Sequence, residues 1–289
     1  MIRAHGALRY AVMLPTDLRV IIGRDSWLFL NGDGTIEQAT GRLLREPAIA
    51  GFADRTAALQ KRLQAGNTRF LVAIPPNGST INRSRLPAWA ADKPAVSEYD
   101  LMMRALAARG VAAVDLRPPL LAANSIHPTY RRTDTHWNRL GALVAYDAVV
   151  EALGEPGWVI DPDRVLRGYE TVPGGDLARL LAVSAGVTDE DARIDLSSYG
   201  PRAFSISRID TQFESGGDLI DTGRTGPTVL VIGDSFTRGF WQDYFSLHAG
   251  KYIWMHHEMC GFAIGVVESY APDIVILAPV ERQMFCFGK

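Results

Sequence analysis

Cysteine is scarce in this 289-residue chain, and motifs for a nucleotide cofactor are absent. The two cysteines, Cys260 and Cys286, form neither a CxxC pair nor a disulfide framework, so either a bond between them or two buried thiols fits the sequence. No P-loop and no GxGxxG fingerprint occurs, which gives no reason to propose a nucleotide. We therefore predict that the chain works without a cofactor.

An excess of charge of one sign and a long apolar run are also missing. The 30 Lys and Arg residues nearly balance the 32 Asp and Glu residues, giving a formal net charge of -2, and no polybasic run occurs. This balance argues against nucleic acid or an anionic membrane surface as a partner. No apolar run reaches signal-peptide or transmembrane length. We expect a soluble chain, with any exporting or anchoring segment outside these residues.

Apolar residues make up 47% of the chain, enough for a sizeable buried core. In the first half, helical and strand patterns alternate in the way that βαβ units do. The predicted elements are a helix at 50–65, a strand at Arg69–Ile74, a helix at Ser97–Arg109, a strand at Val111–Leu116 and a helix at Leu140–Leu153.

The second half begins with a segment, residues 156–226, in which periodicity weakens and Gly, Pro, Asp and Ser become frequent. We expect an irregular insertion there, able to cap a site. Beyond it we predict strands at Thr228–Ile232, Lys251–Met255 and Asp273–Ala278, with a helix at Met259–Tyr270. The pattern indicates one α/β domain over residues 1–289, built on a mostly parallel sheet with helices on both faces.

Gly233-Asp234-Ser235 follows the predicted strand Thr228–Ile232 and precedes a segment that can begin a helix. Ligands of open α/β sheets bind beyond the carboxyl ends of the strands. A serine there lies near backbone N–H groups that can stabilise an oxyanion. Asp234 or Ser235 could instead only cap the helix. We assign Ser235 as the candidate nucleophile, with Gly233 in the turn and the oxyanion hole.

Asp134 and His136 stand two residues apart just before a predicted helix. In an extended or turn segment both side chains can lie on one side, whereas on a helix they would diverge. The carboxylate could then accept the Nδ1 hydrogen of the imidazole, leaving Nε2 to take a proton from a serine. Alternatively, Asp134 or Asn138 caps the helix and His136 is a surface residue.

Other polar side chains are weaker candidates. Asn77 could donate its amide to an oxyanion, although a Pro-Pro-Asn-Gly turn explains it equally well. His256-His257-Glu258 looks metal-like. Adjacent histidines in a strand point to opposite faces, however, and no third ligand has a compatible spacing, so we predict no metal site.

Several large side chains near these motifs could hold a sugar. Trp137, Trp241 and Tyr244 could stack on a sugar ring, although aromatic residues near core elements more often pack. We assign Trp137, Tyr130, Tyr244 and Arg282 as candidate substrate-binding residues.

Seven segments together resemble a known family, the AlgJ/AlgX-type SGNH hydrolase-like proteins, which O-acetylate bacterial exopolysaccharides such as alginate. The segments are VIIGRDSWLFL (Val20–Leu30), IPPN (Ile74–Asn77), Leu86-Pro87, YRRTDTHWNRLGA (Tyr130–Ala142), GGDLARLL (Gly174–Leu181), VIGDSF (Val231–Phe236) and Glu281-Arg282. The DTHW segment precedes GDSF, whereas ordinary SGNH hydrolases place the serine block first. The motif order is therefore circularly permuted.

The resemblance implies that Ser235, His136 and Asp134 form a catalytic triad that passes an acetyl group through acetyl-Ser235 to an exopolysaccharide hydroxyl. It also implies a polysaccharide acceptor, an acetyl group supplied by a membrane-bound acyltransferase, and a periplasmic, membrane-tethered setting. Two alternatives stay open. One is an acetyl-esterase, or carbohydrate deacetylase, with the same triad, and the other is a non-catalytic glycan-binding component of an export complex.

Overall fold

The computed structural model describes residues 17–200, 204–211 and 214–285. Cys286, whose pairing with Cys260 was left open above, lies outside the described residues. The strands are β1 (Val20–Ile22), β2 (Leu28–Leu30), β3 (Arg69–Ala73), β4 (Ala113–Val114), β5 (Leu166–Pro173), β6 (Thr188–Ile194), β7 (Ser205–Ile209), β8 (Gly217–Asp221), β9 (Thr228–Gly233), β10 (Lys251–His256) and β11 (Ile274–Ala278).

The described residues also contain eleven α-helices, numbered α1 to α11 in chain order. They are α1 (Thr35–Thr40), α2 (Glu46–Ala65), α3 (Gly78–Ile81), α4 (Glu98–Ala108), α5 (Arg117–Asn124), α6 (Arg139–Ala152), α7 (Pro162–Val165), α8 (Asp176–Leu180), α9 (Ser235–Arg238), α10 (Trp241–Phe245) and α11 (Ile264–Ser269). None of these helices has the length and apolar character needed to cross a bilayer.

The central sheet has seven strands in the order β4-β3-β11-β9-β10-β8-β7. The first five of these strands are parallel to one another, while β8 runs antiparallel to β10 and β7 antiparallel to β8. The carboxyl ends of β3, β9, β10 and β11 therefore meet at one edge. The predicted fold class, a mostly parallel sheet, is confirmed.

Buried side chains alternate between the two faces of this sheet. On β9, Val229 and Val231 join one apolar cluster, which includes residues of α6. Leu230 and Ile232 join a second cluster, which includes residues of α2 and α4. This period of two along a strand buried on both sides explains the continuous apolar run TVLVI. Helices cover both faces, as predicted.

The segment 156–226 corrects the expectation of an irregular insertion, because it contains four strands. Strands β7 and β8 extend the central sheet, and β5 pairs with β6 in a separate two-stranded sheet. Most side chains of β5 and β7 are exposed, so their sequences lack the apolar alternation that reveals a half-buried strand. Backbone pairing holds these strands without that signal.

The helix predicted at Met259–Tyr270 begins only at Ile264. Glu258, Met259 and Cys260 all have positive φ angles, of 47°, 51° and 59°. A residue in this left-handed region does not continue a right-handed helix. The chain therefore makes a strained turn after β10 before the helix starts.

Candidate active site

Ser235 is the first residue of α9 and is exposed at the carboxyl edge of the sheet. The preceding residue, Asp234, is the helix cap: its carboxylate accepts the N–H of Phe236 at 2.9 Å and, from the next strand along, the N–H of Val280 at 2.8 Å. The cap is thus Asp234 rather than Ser235. The serine hydroxyl is left available for chemistry.

His136 faces Ser235, as the sequence predicted. Its Nε2 atom lies 2.8 Å from the Ser235 Oγ atom, and its Nδ1 atom lies 2.7 Å from Asp134 Oδ1. The residues from Arg131 to Trp137 form turns and an isolated bridge rather than a helix, which lets both side chains lie on one side. The predicted contact between the three side chains is confirmed.

A different residue caps the helix that follows. Asn138 accepts the N–H of Gly141 at 2.9 Å and is the cap of α6. Asp134 is therefore free of the capping role that the sequence left open to it. Its carboxylate is used instead on His136.

The Asp134 carboxylate is largely buried, with 8% of its side chain exposed. Burial on its own raises the pKa of this group. The hydrogen bonds and charge of His136, with the backbone N–H groups of His136 and Asp176, outweigh burial and hold the pKa of Asp134 well below its ordinary value. An ionised Asp134 keeps the proton of the neutral imidazole on Nδ1, so Nε2 presents a lone pair to Ser235.

Support for Asp134 comes from the segment 174–181, to which the sequence assigned no site residue. A Cβ atom on Gly175 would lie 2.4 Å from Asp134 Oδ2, so only glycine allows this close approach. The N–H of Gly175 donates to Thr133 Oγ1 at 2.9 Å, and Thr133 donates to Asp189 Oδ2 at 2.6 Å. In the sequence, the Gly174-Gly175 pair was the one signal that could have indicated this close packing against Asp134.

Asp176 is a second acidic residue that sequence reasoning missed. Its carboxylate accepts the N–H of Thr135 at 2.8 Å and the hydroxyl of the same residue. Asp176 Oδ2 lies 3.7 Å from His136 Nδ1. About forty residues separate it from His136 in sequence, and only the fold brings them together.

Asp134, His136 and Asp176 each offer one ligand atom within 4.8 Å of the others, which is close enough for a metal ion. However, His136 Nδ1 and Asp134 Oδ1 are already at hydrogen-bond distance, 2.7 Å, so a proton occupies the place that a cation would need. The arrangement suits proton transfer. The absence of a metal site stays a prediction.

Asn77 and Arg282 lie beside the triad. Together with Asp134 and Thr135 they line a cavity of about 20 Å³. The amide nitrogen of Asn77 donates to Gln38 Oε1 across 3.3 Å, and Arg282 donates to Asn77 Oδ1 across 3.4 Å. Both contacts are long, so the amide can be recruited by a stronger acceptor. The oxyanion role of Asn77 and the substrate role of Arg282 stay predictions.

The structure corrects the oxyanion assignment of Gly233. Its carbonyl accepts the N–H of His257 at 2.9 Å. In a parallel ladder the N–H and the C=O of a residue face the same neighbouring strand, so the Gly233 N–H is directed towards β10. Its lack of a side chain has a steric reason, since a Cβ atom would lie 2.2 Å from Thr237 Oγ1.

Three predicted sugar-binding aromatics are also corrected, because they are buried. Trp137, Tyr130 and Tyr244 are exposed by 0%, 2% and 3%. Their polar ends bind backbone carbonyls: Trp137 donates to Phe236, Tyr130 to Pro76 and Tyr244 to Arg139. No ring face is open to a sugar. Trp137 instead packs edge-on against the Phe236 ring and fixes the segment that carries Ser235.

A mostly parallel α/β sheet with a serine after a central strand, hydrogen-bonded to a histidine and an aspartate, defines the SGNH hydrolase-like class of proteins. Within that class, the family described as SGNH hydrolase-like domain, acetyltransferase AlgX, has a model that matches residues 20–249. The chain belongs to this family.

Relatives agree with this membership. The chain is 31% identical over 170 residues to a protein named "Probable alginate O-acetylase AlgJ" from Pseudomonas putida, and the match covers 56% of this chain and 42% of the relative. The chain thus spans less than half the length of that relative.

Solved structures show the same fold at low identity. The O-acetyltransferase domain of Pseudomonas putida AlgJ aligns with a TM-score of 0.59 at 18% identity, covering 93% of both chains. A DHHW family protein from Eubacterium siraeum aligns with a TM-score of 0.65 at 16% identity, covering 93% of this chain and 92% of its own. At such identities the likeness is one of fold alone.

Proposed function

We propose that this protein is a serine O-acetyltransferase that moves an acetyl group through acetyl-Ser235 to a hydroxyl of a bacterial exopolysaccharide. The observation that carries the proposal is the distance of 2.8 Å between Ser235 Oγ and His136 Nε2, with Asp134 on the other ring nitrogen. This is the contact that activates a serine for acyl transfer.

In the first half-reaction, His136 takes the hydroxyl proton while Ser235 Oγ attacks the acetyl carbonyl of the donor. Asp134 stabilises the imidazolium that forms, and the Ser235 N–H with the Asn77 amide stabilises the oxyanion. The imidazolium then gives its proton to the leaving group, and acetyl-Ser235 remains. In the second half-reaction, His136 removes a proton from the acceptor hydroxyl, which attacks the acetyl-enzyme. The imidazolium then gives that proton to Ser235 Oγ as its bond to the acetyl group breaks, which restores the free enzyme.

The acceptor class is supported by the names of the relatives, which are called alginate O-acetylases. We extend to this chain a polysaccharide acceptor, a periplasmic setting with a membrane tether, and a membrane-bound acyltransferase as the source of acetyl groups. Arg282 is the acceptor contact we retain, because it is only partly buried and lines the cavity beside Asp134. An arginine suits both hydroxyl and carboxylate groups of a sugar.

A second candidate function is an acetyl-esterase with the same triad. It is favoured by the exposure of Ser235, which lets water reach the acyl-enzyme, and by the burial of the aromatics expected to hold a sugar. The two functions differ only in the second half-reaction. A bound hydroxyl outcompetes water when binding raises its effective concentration by orders of magnitude.

The deciding experiment incubates the protein with an aryl acetate, with and without bacterial oligosaccharides, and follows free acetate and acetylated sugar by mass spectrometry. We expect slow acetate release alone and acetylated sugar when a suitable acceptor is added, with neither product formed by the matched Ser235→Ala protein. Free acetate at an unchanged rate across a broad acceptor panel would instead establish the esterase.

A further inference from the structure

A second carboxylate stands behind the imidazole of His136, on a different element from Asp134. Asp176 begins helix α8, and its Oδ2 atom lies 3.7 Å from His136 Nδ1, against 2.7 Å for Asp134 Oδ1. Both carboxylates therefore approach the same ring nitrogen. The nearer one accepts the proton, while the other adds negative charge next to it.

Asp176 also holds the segment that carries the histidine. Its two oxygens accept the N–H and the hydroxyl of Thr135, and Thr135 Oγ1 lies 3.2 Å from His136 Nδ1. The backbone N–H of Asp176 donates to Asp134 Oδ2 at 3.2 Å. One residue thus contacts the backbone beside the base, the hydroxyl beside the ring, and the carboxylate that orients the ring.

We propose that Asp176 is a positioning residue of the triad that fixes the His136 ring through Thr135 and favours the imidazolium formed during acyl transfer. The inference rests on the proposed acyl-serine chemistry, though not on the identity of the acceptor. A negative charge within about 4–6 Å of a histidine favours its protonated form. The Asp176 side chain is 30% exposed, so solvent weakens this effect without removing it.

Of the other charged groups near His136, Arg282 lines the cavity beside Asp134 and makes only a 3.4 Å contact with Asn77, while the rest have partners of their own. Arg131 lies 3.9 Å from Asp134 Oδ2 and pairs with Asp191. Asp189 accepts from Thr133 on the far side of the same loop. In the ranges that the structure describes, the ion pairs give Asp176 no arginine or lysine partner, and its carboxylate lies 3.7 Å from the imidazole Nδ1 atom.

The test compares Asp176→Asn with Asp189→Asn, the matched control that removes a carboxylate holding the same loop away from the ring. Aryl acetate turnover is measured as kcat/KM from pH 4 to pH 9, and the titration of the His136 ring is followed by NMR, with its resonance assigned by loss in His136→Ala. Asp176→Glu is added as the conservative variant that retains the charge. Thermal unfolding reports whether each variant is folded.

In Asp176→Asn we expect the plateau of kcat/KM to fall about 10-fold. The acid limb and the NMR midpoint should move together to lower pH by about 0.5–1 unit, because the imidazolium loses a stabilising charge. Asp189→Asn should leave the acid limb and the NMR midpoint at their wild-type values. Asp176→Glu should return both to those values.

An unchanged acid limb and midpoint in a folded Asp176→Asn protein would overturn the proposal and leave Asp176 as a structural residue only. The same shift in Asp189→Asn would also overturn it, since the effect would then come from loosening the loop. Failure of the proposed function is separate, because it would appear in the wild-type protein as the absence of an acyl-enzyme. The NMR titration reports on Asp176 even in that case.

Discussion

Two aspartate–histidine pairs lie at the carboxyl edge of the sheet. They differ in the distance between the partners, in exposure to solvent and in the group that the second ring nitrogen contacts. In the first, His136 bonds Asp134 at 2.7 Å, its side chain is 27% exposed, and its second nitrogen faces Ser235. In the second pair, the His257 side chain is 0% exposed. Its Nε2 atom lies 3.6 Å from Asp234 Oδ2 and 3.1 Å from Gln283 Oε1. An aspartate beside a histidine is therefore not enough to identify a catalytic pair.

The two histidines differ in their access to solvent and in the side chain that contacts the Nε2 atom, which is Ser235 for His136 and Gln283 for His257. His257 Nδ1 is buried without a hydrogen-bond partner among the described residues, and its Nε2 atom contacts the Gln283 amide oxygen. The Asp234 carboxylate accepts the backbone N–H groups of Phe236 and Val280, and these hydrogen bonds position the adjacent Ser235. In the proposed mechanism the first pair activates Ser235, whereas the second pair holds the loop that carries Ser235.

The largest expected effect separates the two histidines by activity. His136→Ala should lower aryl acetate turnover about 10³-fold or more, because Ser235 loses its base. His257→Ala, if folded, should stay within about 10-fold of the wild type, since its ring touches no reacting atom. Steady-state kinetics on both proteins measures this, and equal losses would erase the distinction between the pairs.

Stability should rank the same two variants in the opposite order. His257→Ala should lower the free energy of unfolding by about 3 kcal/mol, because it leaves a cavity and removes one of the groups that stabilise the buried Asp234 carboxylate, which keeps its two backbone N–H donors. His136→Ala removes a partly exposed ring and should cost less. Urea unfolding gives both values, and a smaller loss for His257→Ala would contradict the structural role of the second pair.

Close packing against the first pair gives the next effect. Gly175→Ala should lower turnover about 10–100-fold, because its Cβ atom would meet Asp134 Oδ2 at 2.4 Å and displace the carboxylate that orients His136. Gly265→Ala is the matched control, since its Cβ atom would have nothing within 4 Å. Similar kinetics for the two alanine variants would show that the Asp134 position tolerates movement.

The smallest effect concerns pH. Burial alone raises the pKa of Asp234, but the hydrogen bond and charge of His257 and two backbone N–H groups outweigh it and lower that pKa below its ordinary value of 3.8. A lowered folded pKa adds stability that is present above 3.8 and lost as pH falls through the folded value. Asp234→Asn should therefore be less stable than the wild type by about 1–2 kcal/mol at pH 7, a gap that narrows below about pH 4.

Thermal unfolding at pH 7 and pH 3.5 measures this gap. A difference that is constant with pH would mean that the shape of Asp234, and not its charge, supports the loop.

Much of the scaffold was predictable because buried parallel strands have continuous apolar runs. Strands β3, β9, β10 and β11 were placed to within two residues, which put Ser235 at the end of β9. The contact with His136, which lies between α5 and α6, was predicted from the chemistry of the Asp134 and His136 motif and from the family resemblance. Strands β5 to β8 were missed. Strands β5 and β7 are largely exposed, and β6 buries the polar residues Asp189 and Asp191, so these strands lack an apolar alternation.

The errors at the site have a common physical origin. Tyrosine and tryptophan have an apolar body and a polar end, so the sequence cannot tell a stacking platform from a core residue whose polar end binds a carbonyl. Tyr130, Trp137 and Tyr244 were of the second kind. Asp176 was missed because its contact with Thr135 is long-range and forms only when α8 packs beside the loop that carries His136.

The central claim is that Ser235 is the residue acylated through the first pair. It is tested most directly by mixing the protein with excess aryl acetate, quenching within the first turnovers, and mapping the acetyl group by tandem mass spectrometry of the tryptic peptide 225–238. We predict a single acetyl group on Ser235 in the wild type, none in Ser235→Ala, and a greatly slowed appearance in His136→Ala. Acetylation at another residue, or an equal yield in Ser235→Ala, would contradict the account.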